Sequence, residues 1–260
     1  MPSPDQLNPD VAFSQADGSG GFLVVLHVQN GHFGRKVRGD EPQVRNPVDD
    51  VVDVMEEEAT EDFEKMAAIL PSEKPYFKTS VLEIAKKRIP WLLVLMISSM
   101  VTGTILAKYE EAFQILPILV TFIPMLMDTG GNSGSQSSVT VIRAISLGEL
   151  EWSDLPAVIW KEGRTAFLCG TALSAACFVK LMLIDRLLLG NAGVTVSVAL
   201  VVCLTMLFTV ILAKIIGCTL PMAAKKLGFD PAVMASPFIT TIVDALSLLV
   251  YFGIAKSVLF

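Results

Sequence analysis

Asp244 lies within one residue of the middle of the apolar stretch Pro231–Ala255 and is the only charge in it. A carboxylate at that depth of a bilayer costs about 2.5–3.5 kcal/mol on the insertion scale, and no basic residue shares the stretch to neutralise it. Ser236, Thr240, Asp244 and Ser247 are spaced four, four and three apart, so on a helix they form one polar stripe. Pro237 removes an intrahelical donor and frees the carbonyl of Val233, adding an oxygen near that level. Oxygen ligands around one carboxylate suit a water-filled cation path. The competing reading is an Asp244 that hydrogen-bonds a neighbouring helix, is protonated, or pairs with Lys180.

A second feature interrupts an apolar run: Asp128-Thr129-Gly130-Gly131-Asn132-Ser133-Gly134-Ser135-Gln136. Three glycines in five residues are expected to weaken a helix and expose backbone carbonyls, which membrane interiors tolerate only in a wet or protein-lined place. Gly130 and Gly134 also form a GxxxG pair, which serves close helix packing. Asn132 and Gln136, four apart on one face, favour a polar lining.

Further carboxylates flank these two features. Asp230 precedes Pro231, an N-cap aspartate before a first-turn proline, and it also sets a second carboxylate at one end of the helix carrying Asp244. Glu110 and Glu111, in the short first loop on the outer side, could attract cations by local field but read better as a plain polar turn. Asp49, Asp50, Asp53, Glu56, Glu57, Glu58, Glu61, Asp62 and Glu64 crowd one helical segment with no base before Lys65. Such acids repel at i,i+4. They form either a solvated face or one that divalent cations or a basic partner relieve, since hard oxygen ligands suit magnesium or calcium.

The elements that must position these groups are apolar. Residues of the AVILMFWYC set make up 52% of the 260 residues and charged residues 18%, with a mean hydropathy of +0.59. Residues 1–90 hold 26 of the 46 charged side chains. The rest reads as five membrane spans: Ile89–Ala107, Phe113–Met127 resuming as Val139–Ile145, Thr165–Leu189, Val194–Ala213 and Pro231–Ala255. Lys86, Lys87, Arg88, Arg143, Lys161, Arg164, Lys214, Lys225 and Lys226 would flank the inside, against Lys108, Arg186 and Lys256 outside. This bias sets the N-terminus in the cytoplasm and the C-terminus outside. Ahead of the spans, Val48, Val51, Val52, Met55, Ala59, Phe63 and Met66 make an apolar helical stripe over Pro47–Ile69, broken by Pro71 and Pro75. Residues 1–46 read as a poorly structured lead-in with no signal peptide, in which Phe22–Val28 is at most a single strand.

The same inventory excludes several function classes. A net charge of −6 and a pI near 5.0 exclude a general nucleic-acid binder. Cys169, Cys177, Cys203 and Cys218 have no CxxC spacing and read as packing residues, and both histidines, His27 and His32, precede the spans. No nucleophile–base set, nucleotide loop or His/Cys metal set supports an enzyme.

Together these residues resemble the MgtE family of magnesium transporters. The resemblance is carried by Pro124, Thr129-Gly130-Gly131-Asn132-Ser133-Gly134-Ser135-Gln136 and Val141-Ile142-Arg143-Ala144. It continues in Asp230-Pro231-Ala232-Val233, Ser236-Pro237, Thr240-Thr241 and Asp244, and in Glu58-Ala59-Thr60-Glu61-Asp62, over residues 48–260. It implies an all-α integral membrane protein, a homodimer with five transmembrane helices per protomer in the plasma membrane, and a pore on the two-fold axis. Residues 47–88 would be an acidic cytosolic connecting, or plug, helix and linker, and 89–260 the transport domain. It further implies that the paired Asp244 carboxylates hold largely hydrated magnesium, with Asp230 an inner-mouth site. Gly130, Gly131, Asn132, Gly134, Gln136, Ser236 and Thr240 would line the path, and Asp50, Asp53, Glu58, Glu61 and Asp62 would sense cytosolic magnesium.

Family members carry an acidic N-terminal domain and a pair of cystathionine-β-synthase domains before the connecting helix. Residues 1–46 resemble neither. The expectation is a truncated member, or one whose start is not the natural one, less inhibited by cytosolic magnesium than a longer relative. Asp128 stands ahead of the core motif and receives no role. The alternatives are a broader carrier of cobalt, nickel or manganese, a cation–proton exchanger, or a transport-dead dimer partner acting as a scaffold.

Overall fold

The computed structural model describes residues 27–29, 32–34, 47–71, 76–234 and 236–259. The chain divides into two units, residues 1–63 and 64–260. In the first, β1 (His27–Gln29) pairs antiparallel with β2 (His32–Gly34), Val28 facing Phe33. The lead-in therefore contains two short paired strands where a single strand was expected; residues 22–26 of the expected strand lie outside the described residues. The acidic segment forms α1 (Pro47–Met66), with proline in the first turn where its missing N–H is not needed.

The other unit is helical: α2 (Val81–Lys108), the short α3 (Glu110–Ile115), α4 (Ile123–Ser146), α5 (Leu155–Val179), α6 (Val196–Lys226) and α7 (Ser236–Leu259). Starts and stops follow local chemistry. Ser80 and Thr195 cap α2 and α6 by accepting the backbone N–H of Glu83 (3.3 Å) and Val198 (3.2 Å). Gly228, at φ +80°, stops α6 in a conformation that side chains resist. Among the described residues four segments are long and apolar enough to cross a membrane: α2, Trp152–Leu188, α6 and Pro231–Leu259. α4, the fifth expected span, is not among them, because its glycine, serine, asparagine and aspartate residues dilute its apolar content.

α6 is the central helix, packed against α4, α5 and α7, while α2 rests mainly on α7. Tyr109, after α2, stacks on Phe252 of α7 at 4.3 Å, and the Tyr251 hydroxyl donates to the Leu119 carbonyl at 2.9 Å. Cys177 and Cys203 are buried in the same core cluster. Apolar side chains also cover outer surfaces, including Leu92, Met96 and Met100 on α2 and Leu200, Leu204 and Phe208 on α6, as suits contact with lipid. α6 continues past Ala213, so Lys214 lies within the helix. It is 5% exposed inside the helix, and its carbonyl accepts the Ser137 hydroxyl at 3.1 Å.

The Gly/Ser-rich stretch does not break α4, which runs unbroken from Ile123 to Ser146. Tight packing replaces what the glycines cost in helix propensity. A Cβ on Gly217 of α6 would run into the carbonyl oxygen of Gly134, and one on Gly130 would meet Thr209 Cγ2 at 2.6 Å. One on Gly131 would meet Thr240 Cγ2 of α7 at 2.9 Å. Ser138 adds a hydrogen bond to the Met234 carbonyl (3.1 Å), and Ser174 of α5 one to the Cys203 carbonyl of α6 (2.8 Å). Gly217→Ala is therefore expected to lower stability by about 1–3 kcal/mol, read as a lower Tm in detergent, whereas Gly163→Ala, with open space at its Cβ, should leave Tm unchanged or raise it.

α5 changes character at its end. From Lys180 to Leu188 the chain is a π-helix, whose i→i+5 ladder is rare and normally confined to one turn. Lys180 and Asp185, five apart, are joined at 2.6 Å, with Asp185 9% exposed. Lys180 thus serves Asp185 and not Asp244, which excludes one reading of Asp244. Lys180→Met strands a buried carboxylate and should destabilise by about 1–3 kcal/mol. Lys180→Met/Asp185→Leu should recover most of that loss in the same melting assay.

Candidate functional site

α4 and α7 run antiparallel in contact. Gly131 faces Thr240, Gly134 faces Ile239, and Gly130 faces Val243 and Ser247. This register brings Asp128, about one turn before Gly131, to the level of Asp244, about one turn beyond Thr240. The two carboxylates lie near enough for their charges to act on one another. Sequence reasoning singled out Asp244 and left Asp128 without a role. The signal for Asp128 was available in its spacing: Asp128, Asn132 and Gln136 fall at i, i+4 and i+8.

That stripe is the exposed side of α4. Asp128, Asn132 and Gln136 are all exposed, while Gly130, Gly131, Ser133, Gly134, Ser137 and Ser138 are buried. Asp244 and Thr240 on α7 are half-buried beside them. Among the described residues neither Asp128 nor Asp244 has a hydrogen-bond or ion-pair partner. The glycines contribute by bringing α7 against α4, not by presenting side chains of their own.

The rest of the expected α7 stripe divides. Thr240 and Thr241 both donate to the Pro237 carbonyl at 2.9 Å. Ser247 is 2% exposed and donates to Val243 of its own helix at 2.6 Å. The side chain of Ser236 lies outside the described residues. Ahead of α7, Pro231–Met234 forms a 3-10 turn, so Pro237 stands in the first turn of α7 where it costs little. The carbonyl freed near this break and taken up by a neighbour is that of Met234, bonded to Ser138.

Asp230 starts that turn. Its Oδ1 accepts the Ala232 N–H at 2.8 Å, and its Oδ2 lies 2.5 Å from Lys65 Nζ. Asp50, Asp53, Glu58, Glu61 and Asp62 lie on α1 in the first unit, whereas Asp230 and Asp244 belong to the second. The side chains of Asp50 and Asp53 lie outside the described residues. Among the described residues no group of three or more His, Cys, Asp or Glu side chains converges. What the geometry offers is a strip of oxygen and amide groups with two unpaired carboxylates, open along one side, a surface suited to a hydrated hard cation rather than a closed cage.

The family model described as MgtE, a divalent cation transporter, matches residues 123–254, which take in α4, α5, α6, most of α7 and both carboxylates. The magnesium transporter MgtE of Bacillus subtilis is 36% identical over 210 residues, 81% of this chain and 44% of its own length. That of Thermus thermophilus is 33% identical over 213 residues, 82% of this chain and 45% of its own. That of Enterococcus faecalis is 33% identical over 209 residues, 80% and 44% respectively. The chain thus spans less than half the length of the curated relatives it matches. On a family-model match that takes in the two helices carrying Asp128 and Asp244, and on identity of this extent to the relatives, the chain belongs to the MgtE family of divalent cation transporters.

Proposed function

We propose that this chain moves magnesium ions across a membrane, along a polar path formed where two copies meet through the open faces of α4 and α7. One observation carries the reading: Asp128, Asn132 and Gln136 form an exposed polar stripe beside a half-buried, unpaired Asp244. Lipid cannot solvate such a strip, and intramembrane carboxylates face a bundle interior or a water-filled cavity. A second copy related by a two-fold axis would turn one strip into an enclosed path with two Asp244 and two Asp128 carboxylates. Magnesium gives up its water reluctantly, so carboxylates set apart and backed by amides would hold it through its hydration shell.

In this reading α2, α4, α5, α6 and α7 all span. α4 does so with modest hydropathy because one side packs on α6 and α7 and the other faces the path. The Lys and Arg bias puts the N-terminus in the cytoplasm and the C-terminus outside. Asp230 then stands at the inner mouth, and the acids of α1, Asp50, Asp53, Glu58, Glu61 and Asp62, lie on the cytosolic side where magnesium would screen their mutual repulsion. The connecting-helix reading of 47–88 and the transport-domain reading of 89–260 follow from the same assignment. The matched relatives are magnesium transporters by name, and none of the chemistry above makes or breaks a covalent bond. A broader divalent carrier is the second reading, favoured by the family's description and by an all-oxygen ligand set that separates similar divalent ions weakly.

Magnesium uptake into proteoliposomes tests this directly. The native chain should take up magnesium, and Asp244→Asn and Asp244→Ala should lose uptake by about tenfold or more while remaining folded, because a contact between unit charges at an effective dielectric near 20 is worth roughly 4 kcal/mol. No uptake by the well-folded native chain, or unchanged uptake by both variants, overturns the proposal. Asp128→Asn should reduce uptake by about two- to fivefold, because a more exposed carboxylate is more strongly screened. Competition by cobalt, nickel and manganese in the same assay separates the two readings of selectivity.

A further inference from the structure

Lys65 is the first base after the acidic run of α1, and it stands in the last turn of that helix, within the unit that holds the membrane helices. Its ammonium reaches Asp230, 165 residues further on, at 2.5 Å. The two side chains are 23% and 37% exposed, so the pair is half-open to solvent and to ions. Asp230 is held in place by its other oxygen, which accepts the Ala232 N–H. The segment after α1 is also fastened, with the Leu70 N–H donating to the Lys87 carbonyl at 3.3 Å and Lys87 Nζ to the Pro71 carbonyl at 2.7 Å. A cation on a short, anchored tether therefore meets a carboxylate of fixed position.

We infer that Lys65 is a built-in competitor for the Asp230 carboxylate: a divalent cation takes Asp230 only by displacing the Lys65 ammonium, and Lys65 thereby sets the apparent divalent affinity of this mouth. The inference rests on the reading of Asp230 as a cation site at the inner end of the path. A single carboxylate holds a hydrated divalent ion weakly, and a tethered competitor acts at a high effective concentration. Coupling of this kind is reciprocal, so whatever displaces Lys65 also releases the last turn of α1 from Asp230.

Manganese binding to the full chain in lipid nanodiscs, followed by electron paramagnetic resonance with magnesium as the competing ion, tests this. Lys65→Met should tighten manganese binding by about two- to fivefold, the range set by a half-exposed ion pair. Lys65→Arg, which keeps the cation, should stay close to the native affinity. In an Asp230→Asn background Lys65→Met should have no effect, which separates Asp230 from ions held by the acids of α1. Equal affinities for the native chain and Lys65→Met, or a tightening that survives Asp230→Asn, overturn the inference. Because the readout is binding, failure of the native chain to transport magnesium would overturn the transport reading and leave this result standing.

Discussion

The contact of α4 with α6 and α7 at Gly130, Gly131, Gly134 and Gly217 is the constraint on which the remaining features rest. In a bilayer, helices gain little by hiding apolar surface from one another, so association depends on close van der Waals fit and a few interhelical hydrogen bonds. Three glycines on one side of α4 let Thr209 and Thr240 come within reach of its backbone. Once that side is committed, the helix has only its other side left, and Asp128, Asn132 and Gln136 occupy it. The same approach sets the register with α7 that puts Asp244 beside Asp128. A change that separated α4 from α7 by a methyl group would disturb both the packing and the carboxylate pair.

The charges within this unit follow two different patterns. Lys180 and Asp185 satisfy each other inside an unusual π-helical turn, and Lys65 and Asp230 do so at the foot of α7. Among the described residues Asp128 and Asp244 have no such arrangement. An ion pair in a low-dielectric setting is tolerated because its members compensate one another. Two like charges left side by side are relieved by a counter-ion or by protonation of one of them. This contrast, more than the presence of acidic residues as such, sets Asp128 and Asp244 apart from the carboxylates that a lysine neutralises.

Much of this was legible along the chain because it depends on neighbours in sequence. Apolar runs, caps and the i,i+4 spacing of Asn132 with Gln136 are local quantities, and they located every long helix of the second unit. Where reasoning from sequence went astray, a tertiary contact had overridden a local preference. The glycine stretch was expected to weaken its helix, yet α4 is continuous, because packing against Gly217 and Thr209 supplies what propensity lacks. The π-helix after Val179 and the hairpin at His27–Gly34 had no local signature that distinguished them from a plain helix and a single strand.

What the sequence by itself determined is the kind of protein this is: a chain of long apolar helices with a carboxylate at mid-length in one of them and a glycine-rich polar stretch in another. Those properties follow from composition and period, which need no partner to be expressed. What only the tertiary structure decided is which residues meet. Asp128 became part of the site because antiparallel packing of α4 on α7 matched its level to Asp244, and Lys65 acquired Asp230 across 165 residues of chain. Pairings of that kind depend on how one helix is rotated and shifted against the next, and that geometry is set by the shapes of facing side chains rather than by any pattern within a single segment.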